Sequence, residues 1–136
     1  MNKYMNLIGI KAQKASEYKV TTEVKNKVLN DYAKLIKNEK KFIISQNSKD
    51  INYARKRGLK ENLIKRLHLN ENKLNGIINS ILKIAKLRDP INNTLEKWKR
   101  PNGLSIKRVS IPIGVIGVIY ESRPNVTSDV ASLCFK

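Results

Sequence analysis

The chain's 136 residues amount to about one average domain, long enough to bury roughly two-thirds of the surface that its unfolded form exposes. Its 40% hydrophobic and 29% charged residues are globular in composition, and its single cysteine, Cys134, excludes an intramolecular disulfide and a multi-cysteine zinc site. The extreme figure is the charge, 28 Lys and Arg against 11 Asp and Glu for a net +17, while the longest uncharged run, Val109 to Tyr120, is twelve residues where a membrane span needs ~18.

The first two-thirds of the chain reads as helices. Met1, Met5, Ile8, Ala12 and Ala15 recur at helical spacing as one apolar stripe. Lys11 interrupts the run from Met5 to Ile10 too early for the apolar region of a signal peptide, so a soluble, cytoplasmic protein of a reducing compartment is expected. Thr21 and Thr22 offer an N-cap, with Glu23 where the helix dipole favours an anion. Val24, Val28, Tyr32 and Leu35 make the next stripe, widened by Leu29 and Ile36. Phe42, Ile43 and Ile44 continue a buried segment, and Asn47 and Ser48 can cap a short helix bearing Ile51 and Ala54. Gly58, after Arg55-Lys56-Arg57, is a helix stop. A helical turn around Leu63 and Leu67 leads to Asn70, a cap for the run Leu74, Ile77, Ile78, Ile81, Ile84 and Leu87. Asp89-Pro90 ends that run, because proline disfavours the helical conformation of the residue before it. The stripes of residues 1–87 are expected to pack on one another as one unit.

After Pro90 the pattern changes. Leu95 to Arg100 and Leu104 to Val109 flank Pro101-Asn102-Gly103, a hairpin signal that lets Trp98 and Ile106 share one side. Ile113 to Tyr120 is nearly continuous apolar and rich in β-branched residues, which predicts a strand covered on both faces, as in a parallel α/β sheet. Glu121 to Asn125 is polar turn chemistry. Val126, Val130, Leu133 and Cys134 then recur at helical spacing, with Asn125 or Thr127 available as N-cap. A buried parallel strand needs parallel neighbours, and none follows, so these residues look like the front end of a larger protein.

The charge by itself suggests a nucleic-acid footprint. Its distribution weakens that reading. Residues 1–108 hold 26 basic and 9 acidic side chains, scattered almost evenly with no aromatic RNA-binding motif. Lys (21), Ile (17) and Asn (16) make 54 of 136 residues, and all three have codons built only from A and T. Compositional drift in an AT-rich genome accounts for the load more simply than a selected ligand, with non-specific adhesion to polyanions expected either way.

The stretch Pro112 to Lys136, and above all Gly114-Val115-Ile116-Gly117-Val118-Ile119-Tyr120-Glu121-Ser122-Arg123-Pro124-Asn125-Val126-Thr127, closely resembles a segment of the gamma-glutamyl phosphate reductase family, the proline-biosynthesis members of the aldehyde dehydrogenase superfamily. Arg57-Gly58-Leu59, Arg66-Leu67, Leu74 with Ile77, and Asp89-Pro90 agree with that family in order and spacing, so the resemblance covers essentially the whole chain. It departs at Asn92-Asn93, where the family tends to carry glycine, and in the lysine and asparagine load. The resemblance implies an α/β, aldehyde dehydrogenase-like fold, here incomplete. Residues 1–90 would be the N-terminal helical part of the cofactor-binding domain, 91–111 a β-hairpin oligomerisation arm, and 112–136 the first strand–loop–helix of the parallel sheet. It also implies NADPH-dependent reduction of L-glutamate 5-phosphate to L-glutamate 5-semialdehyde and phosphate, a homo-oligomer in the full-length family, and a cysteine thiolate as nucleophile. That cysteine, and most of the cofactor sheet, would lie beyond the position matching Lys136. The chain alone is therefore expected to be inactive, with the remaining portion of a split gene as a partner. The alternatives are a basic helical nucleic-acid-binding protein and a decayed gene product.

Glu121, Arg123, Pro124, Asn125 and Thr127 are the cofactor- or substrate-binding candidates, since the loop follows the carboxyl end of the expected strand, where open α/β sheets place ligands. Arg123 can clamp a phosphate or carboxylate, against a plain ion pair with Glu121. Asn125 can donate to a developing oxyanion, a role the superfamily gives to an asparagine in a comparable loop, against a simple helix cap. Cys134 sits at the spacing of the apolar residues around it and reads as a small buried hydrophobe, so no catalytic residue is assigned within these 136. Gly114 and Gly117 lie inside the expected strand and form no dinucleotide fingerprint. His68 has no partner at metal-ligand spacing and reads as a surface residue, and no metal is expected.

Overall fold

The apolar run from Leu74 to Ala85 becomes the central helix of the larger of two units. The computed structural model describes residues 3–121 and 123–136, and among these the order is α1 (Lys3–Ser16), α2 (Thr22–Asn38), α3 (Lys40–Lys56), α4 (Glu61–Leu67), α5 (Glu71–Lys86), β1 (Thr94–Lys99), β2 (Ser105–Val109) and α6 (Pro124–Phe135). One unit comprises Met1–Val20 with Arg88–Gly117, the other Thr21–Leu87 with Val118–Lys136.

In the larger unit Asn70 caps α5 as expected, its side-chain oxygen accepting the Lys73 N–H at 2.9 Å. Leu74, Ile77, Ile78, Ile81, Ile84 and Ala85 are buried, and α2 and α6 both pack on α5. Burial of a side chain such as Ile81 contributes about 2–3 kcal/mol, so this row supplies most of the unit's cohesion. Leu87, the last residue of the expected run, is exposed because α5 has already ended. A second cluster, Ile51 and Ala54 of α3 with Ile64 of α4, sits beside the main core.

Several expected faces are rotated or displaced. Thr21 caps α2, accepting from Val24 N–H. The buried seam of α2, however, is Leu29, Ala33 and Ile36 with Lys25, while Val24, Val28 and Leu35 are exposed. The small Ala33 allows a close approach that a row of valines would not. α3 runs unbroken through Asn47 and Ser48, so no cap forms there, and Phe42 is exposed. The Asn47 amide works in the core instead, donating to Leu67 O at 3.0 Å and accepting from Leu69 N–H at 2.8 Å. Gly58 does end a helix, with φ +71° just beyond α3.

α6 begins one residue before the expected caps. Pro124 occupies the first turn, where its missing N–H costs nothing, so Asn125 and Thr127 are helical residues and not N-caps. Its buried face is Ser128 and Ser132; Val126 and Val130 are half-buried, and Leu133 and Cys134 are exposed. The buried-hydrophobe reading of Cys134 is thus overturned: packing through small serines presents the cysteine edge to solvent. Two lysines close the end of this helix, at 8% and 7% exposure. Lys25 Nζ donates to the main-chain oxygen of Lys136 at 3.0 Å, and Lys136 Nζ donates to Ala85 O at 3.0 Å and to Asn26 Oδ1. Cations are favoured at a helix C-terminus by its unsatisfied carbonyls.

The expected strand over 113–120 is not formed; these residues belong to no helix or strand and are exposed. A strand exists only where a neighbour takes its N–H and C=O groups, and β1 and β2 already satisfy each other. In the smaller unit no residue of α1 is buried, so its stripe is not a packing face among the described residues, and Met1 lies outside them. The hairpin forms as expected and pairs Trp98 with Ile106, with Leu95 taken up in an irregularity between Thr94 and Glu96. Gly103 N–H bonds to Arg100 O at 2.9 Å and only Gly103 has positive φ in the turn, so the two-residue type that needs positive φ at both centres is not used. Asn92 adopts φ +59° and donates its N–H to Ser110 O at 2.9 Å. Asn92 belongs to the Asn92-Asn93 pair at which the chain departs from the resembled family, and after glycine asparagine is the residue that best tolerates this conformation.

Candidate functional site

The loop into α6 is tied to α4 of the same unit, and α6 itself packs on α5. Arg66, in the last turn of α4, places Nη1 3.0 Å from Glu121 Oε2 and 3.2 Å from Oε1. Arg123 directs Nε to the same Oε2 at 3.1 Å, and its own N–H donates to Glu121 O at 2.7 Å. The hydrogen bond from Arg66, then the charges of Arg123 and Arg66, hold the Glu121 carboxyl below the usual carboxylate range. The alternative ion-pair role weighed for Arg123 is therefore present, with Arg66 as a third member. Ser122 lies outside the described residues.

Beyond Arg66 opens a groove of about 380 Å³ between α5 and the start of α6, lined among others by His68, Lys73, Gly76, Ser80, Pro124, Asn125 and Asp129. Asn125 Nδ2 donates to Asp129 Oδ2 at 3.3 Å, and Ser80 Oγ donates to Asp129 Oδ1 at 3.2 Å. One amide hydrogen of Asn125 is thus used to fix the side chain, and the amide carries a second. Lys73 Nζ donates to Lys65 O and His68 O, at 3.1 and 2.6 Å, closing the end of α4. The groove wall combines two cations with one fixed carboxylate, a surface suited to a small anionic ligand.

A second, mostly apolar groove of about 390 Å³ runs beside Tyr32, Leu35, Phe42, Leu74 and Thr127. Burial first, and then the Asp129 carboxylate, push the Tyr32 phenol above its usual range. Of the five candidates, Glu121 and Arg123 form the ion cluster, and Pro124 and Asn125 line the polar groove. Thr127 turns to the apolar one, its Oγ1 3.1 Å from Tyr120 Oη. Arg66, Lys73, Ser80 and Asp129 were not named as site residues from sequence, where Arg66 entered only through the resemblance of Arg66-Leu67. Arg66 lies 55 residues from Glu121, and no local spacing could join them. Among the described residues no group of three His, Cys, Asp or Glu is placed to hold a metal, and no helix is long and apolar enough to cross a membrane.

No family model matches the chain. It is 41% identical over 138 residues to the gamma-glutamyl phosphate reductase of Clostridium tetani, across 100% of this chain and 32% of that protein. With the corresponding protein of Nautilia profundicola it shares 46% over 113 residues, 83% of this chain and 28% of the relative. The crystal structure of gamma-glutamyl phosphate reductase from Thermotoga maritima superposes with a TM-score of 0.86 at 38% identity, over 92% of this chain and 31% of that one. The Saccharomyces cerevisiae structure of the same name gives 0.85 at 29% identity, over 91% and 32%. The relatives and solved structures so matched are reductases by name, and these helices, hairpin and loop are similar to one part of them. More narrowly, the chain is homologous to the N-terminal portion of the gamma-glutamyl phosphate reductases, and it spans about 30% of the length of the curated relatives it matches. The nucleic-acid reading of the +17 charge is not supported.

Proposed function

We propose that this chain forms the N-terminal part of an enzyme that reduces L-glutamate 5-phosphate to L-glutamate 5-semialdehyde and phosphate, at the expense of NADPH. The observation that carries the reading is the match along the full chain to reductases of that name, with the loop from Glu121 to Asn125 set against a polar groove. On this reading the acyl phosphate lies in the groove beside Arg66 and Asn125. The second amide hydrogen of Asn125 then meets the acyl oxygen as a nucleophile adds to the carbonyl carbon, and Asp129 and Ser80 hold that amide in place. Cys134 does not serve as that nucleophile. It is exposed on α6 and does not line the groove.

The described residues do not fit a dinucleotide. A cofactor of that size is cradled by parallel strands and a glycine turn at a helix N-terminus, whereas here 113–120 is unpaired and α6 opens on Pro124 directly after Arg123. No step through NADPH is therefore derived from these residues. On the same reading the thiol nucleophile and most of the cofactor sheet lie in sequence outside the matched part, the hairpin 91–111 is the oligomerisation arm of a homo-oligomer, and the compartment is the cytoplasm.

A chimera tests the reading: this chain replacing the matched portion of the Clostridium tetani reductase. Acyl-phosphate-dependent oxidation of NADPH by the chimera, absent from the 136-residue chain alone, is expected. Asn125→Ala in the chimera should lower kcat about 10²-fold with little effect on folding. Steady NADPH oxidation by the chain alone, or an unchanged kcat in the Asn125 variant, would overturn it.

A further inference from the structure

We propose that Arg66 and Arg123 form a two-arginine seat for a phosphoryl-type dianion, and that the Glu121 carboxylate fills this seat while no ligand is bound. The geometry is a convergence. Guanidinium groups from α4 and from the loop into α6 meet on one carboxylate oxygen, Oε2, at 3.0 and 3.1 Å. Two cations drawn together around one monoanion leave a surplus positive charge, and a dianion neutralises that pair where a carboxylate does not.

The donors suit the same exchange. Each guanidinium carries five N–H groups in a rigid fork. Among the described residues Arg66 uses only Nη1 and Arg123 only Nε of its side chain, so both forks keep donors that a single carboxylate does not engage. A phosphoryl group presents three oxygens, which can take bonds from both forks at once. Glu121 itself is 57% exposed, and its side chain can rotate to water without opening any core. Arg66 also lines the polar groove that holds Asn125, so an anion seated on it stands at the groove's wall.

A purely structural ion cluster, pinning the loop to α4, is the competing account. Surface ion pairs of this exposure contribute little, so stability alone does not explain why two arginines share one acid. The binding claim stands on the arginine geometry. Its assignment to the phosphoryl group of an acyl phosphate rests on the function proposed above.

The test is an NMR titration of the whole 136-residue chain with inorganic phosphate and with sulfate, at ionic strength held constant with chloride. Saturable shifts confined to Arg66, Arg123 and Asn125 are expected. Glu121→Gln should tighten binding of both anions about tenfold, because the competing carboxylate is gone. Arg66→Gln should weaken it at least tenfold, and Arg66→Lys, which keeps the charge but loses the fork, should fall between them. Shifts spread over the surface lysines without saturation would mean an adventitious ion only and would overturn the proposal. So would affinity unchanged by Glu121→Gln in a chain that remains folded by circular dichroism. No activity is read in this experiment, so an inactive chimera leaves it standing, and absent phosphate binding leaves the chimera result standing.

Discussion

Asn47→Ala should destabilise the larger unit by about 2–4 kcal/mol, more than any surface substitution in the chain. Asn47 is 4% exposed, inside α3, and its amide spans the reversal between α4 and α5. Its Oδ1 takes the Leu69 N–H at 2.8 Å and its Nδ2 reaches Leu67 O at 3.0 Å. Alanine leaves the buried Leu69 N–H without a partner, which costs about 1–3 kcal/mol. The Leu67 carbonyl, on a half-buried residue, recovers part of its loss from water, and the vacated amide volume adds a cavity contribution of about 1 kcal/mol. Urea unfolding followed at 222 nm reads the change; with a slope of about 2 kcal/mol per M, the midpoint should fall by roughly 1–2 M. Hydrogen exchange locates it, since the Leu69 amide should lose protection more than the amides of α2. Asn47→Asp is the companion variant. It keeps the acceptor for Leu69 N–H but turns a carboxylate toward Leu67 O, so its deficit should shrink in acid, where a protonated carboxyl can donate. A loss under about 0.5 kcal/mol for the alanine variant, or one without selective exposure of the Leu69 amide, would refute the bridging role.

Ser132→Ala should leave stability unchanged or raise it by up to about 1 kcal/mol, because the buried Ser132 Oγ has no hydrogen-bond partner among the described residues; thermal unfolding checks it. Asn92→Ala should cost about 1 kcal/mol, since φ +59° suits asparagine better than alanine, and Asn92→Gly should lose less. Glu121 has a folded-state carboxyl held below its unfolded value, chiefly by the Arg66 hydrogen bond. Its contribution is therefore present above the unfolded pKa, about 4.3, and is lost as pH falls through the lower folded value. Wild type and Glu121→Gln should converge in stability at the acid end, and Arg66→Gln should raise the Glu121 midpoint in a carboxyl NMR titration.

Local chemistry was enough for the helix ends and for one whole helix. Asn70, Thr21 and Gly58 act within four residues of themselves, and the run from Leu74 to Ile84 is apolar enough that only a buried α5 can hold it. The hairpin, with Trp98 and Ile106 on one side, followed likewise from a turn signal flanked by two short arms, and the structure sets the two directly opposite. The loop from Glu121 to Asn125 was legible as a candidate for the same reason, since its polarity interrupts two apolar segments. Tertiary structure decided which face of each amphipathic helix is buried, because periodicity marks a stripe without naming its partner. So α2 buries Leu29, Ala33 and Ile36 and leaves Val28 outside, and α6 packs through Ser128 and Ser132 while Cys134 faces solvent. It decided that Asn47 bridges and does not cap, since its partners lie 20 and 22 residues away. It left 113–120 without a strand, because β-structure is a property of pairs and no β-propensity substitutes for a neighbour's hydrogen bonds. And it joined Arg66 to Glu121 across 55 residues, a meeting that no spacing rule reaches, because long side chains converge only after the helices that carry them have packed.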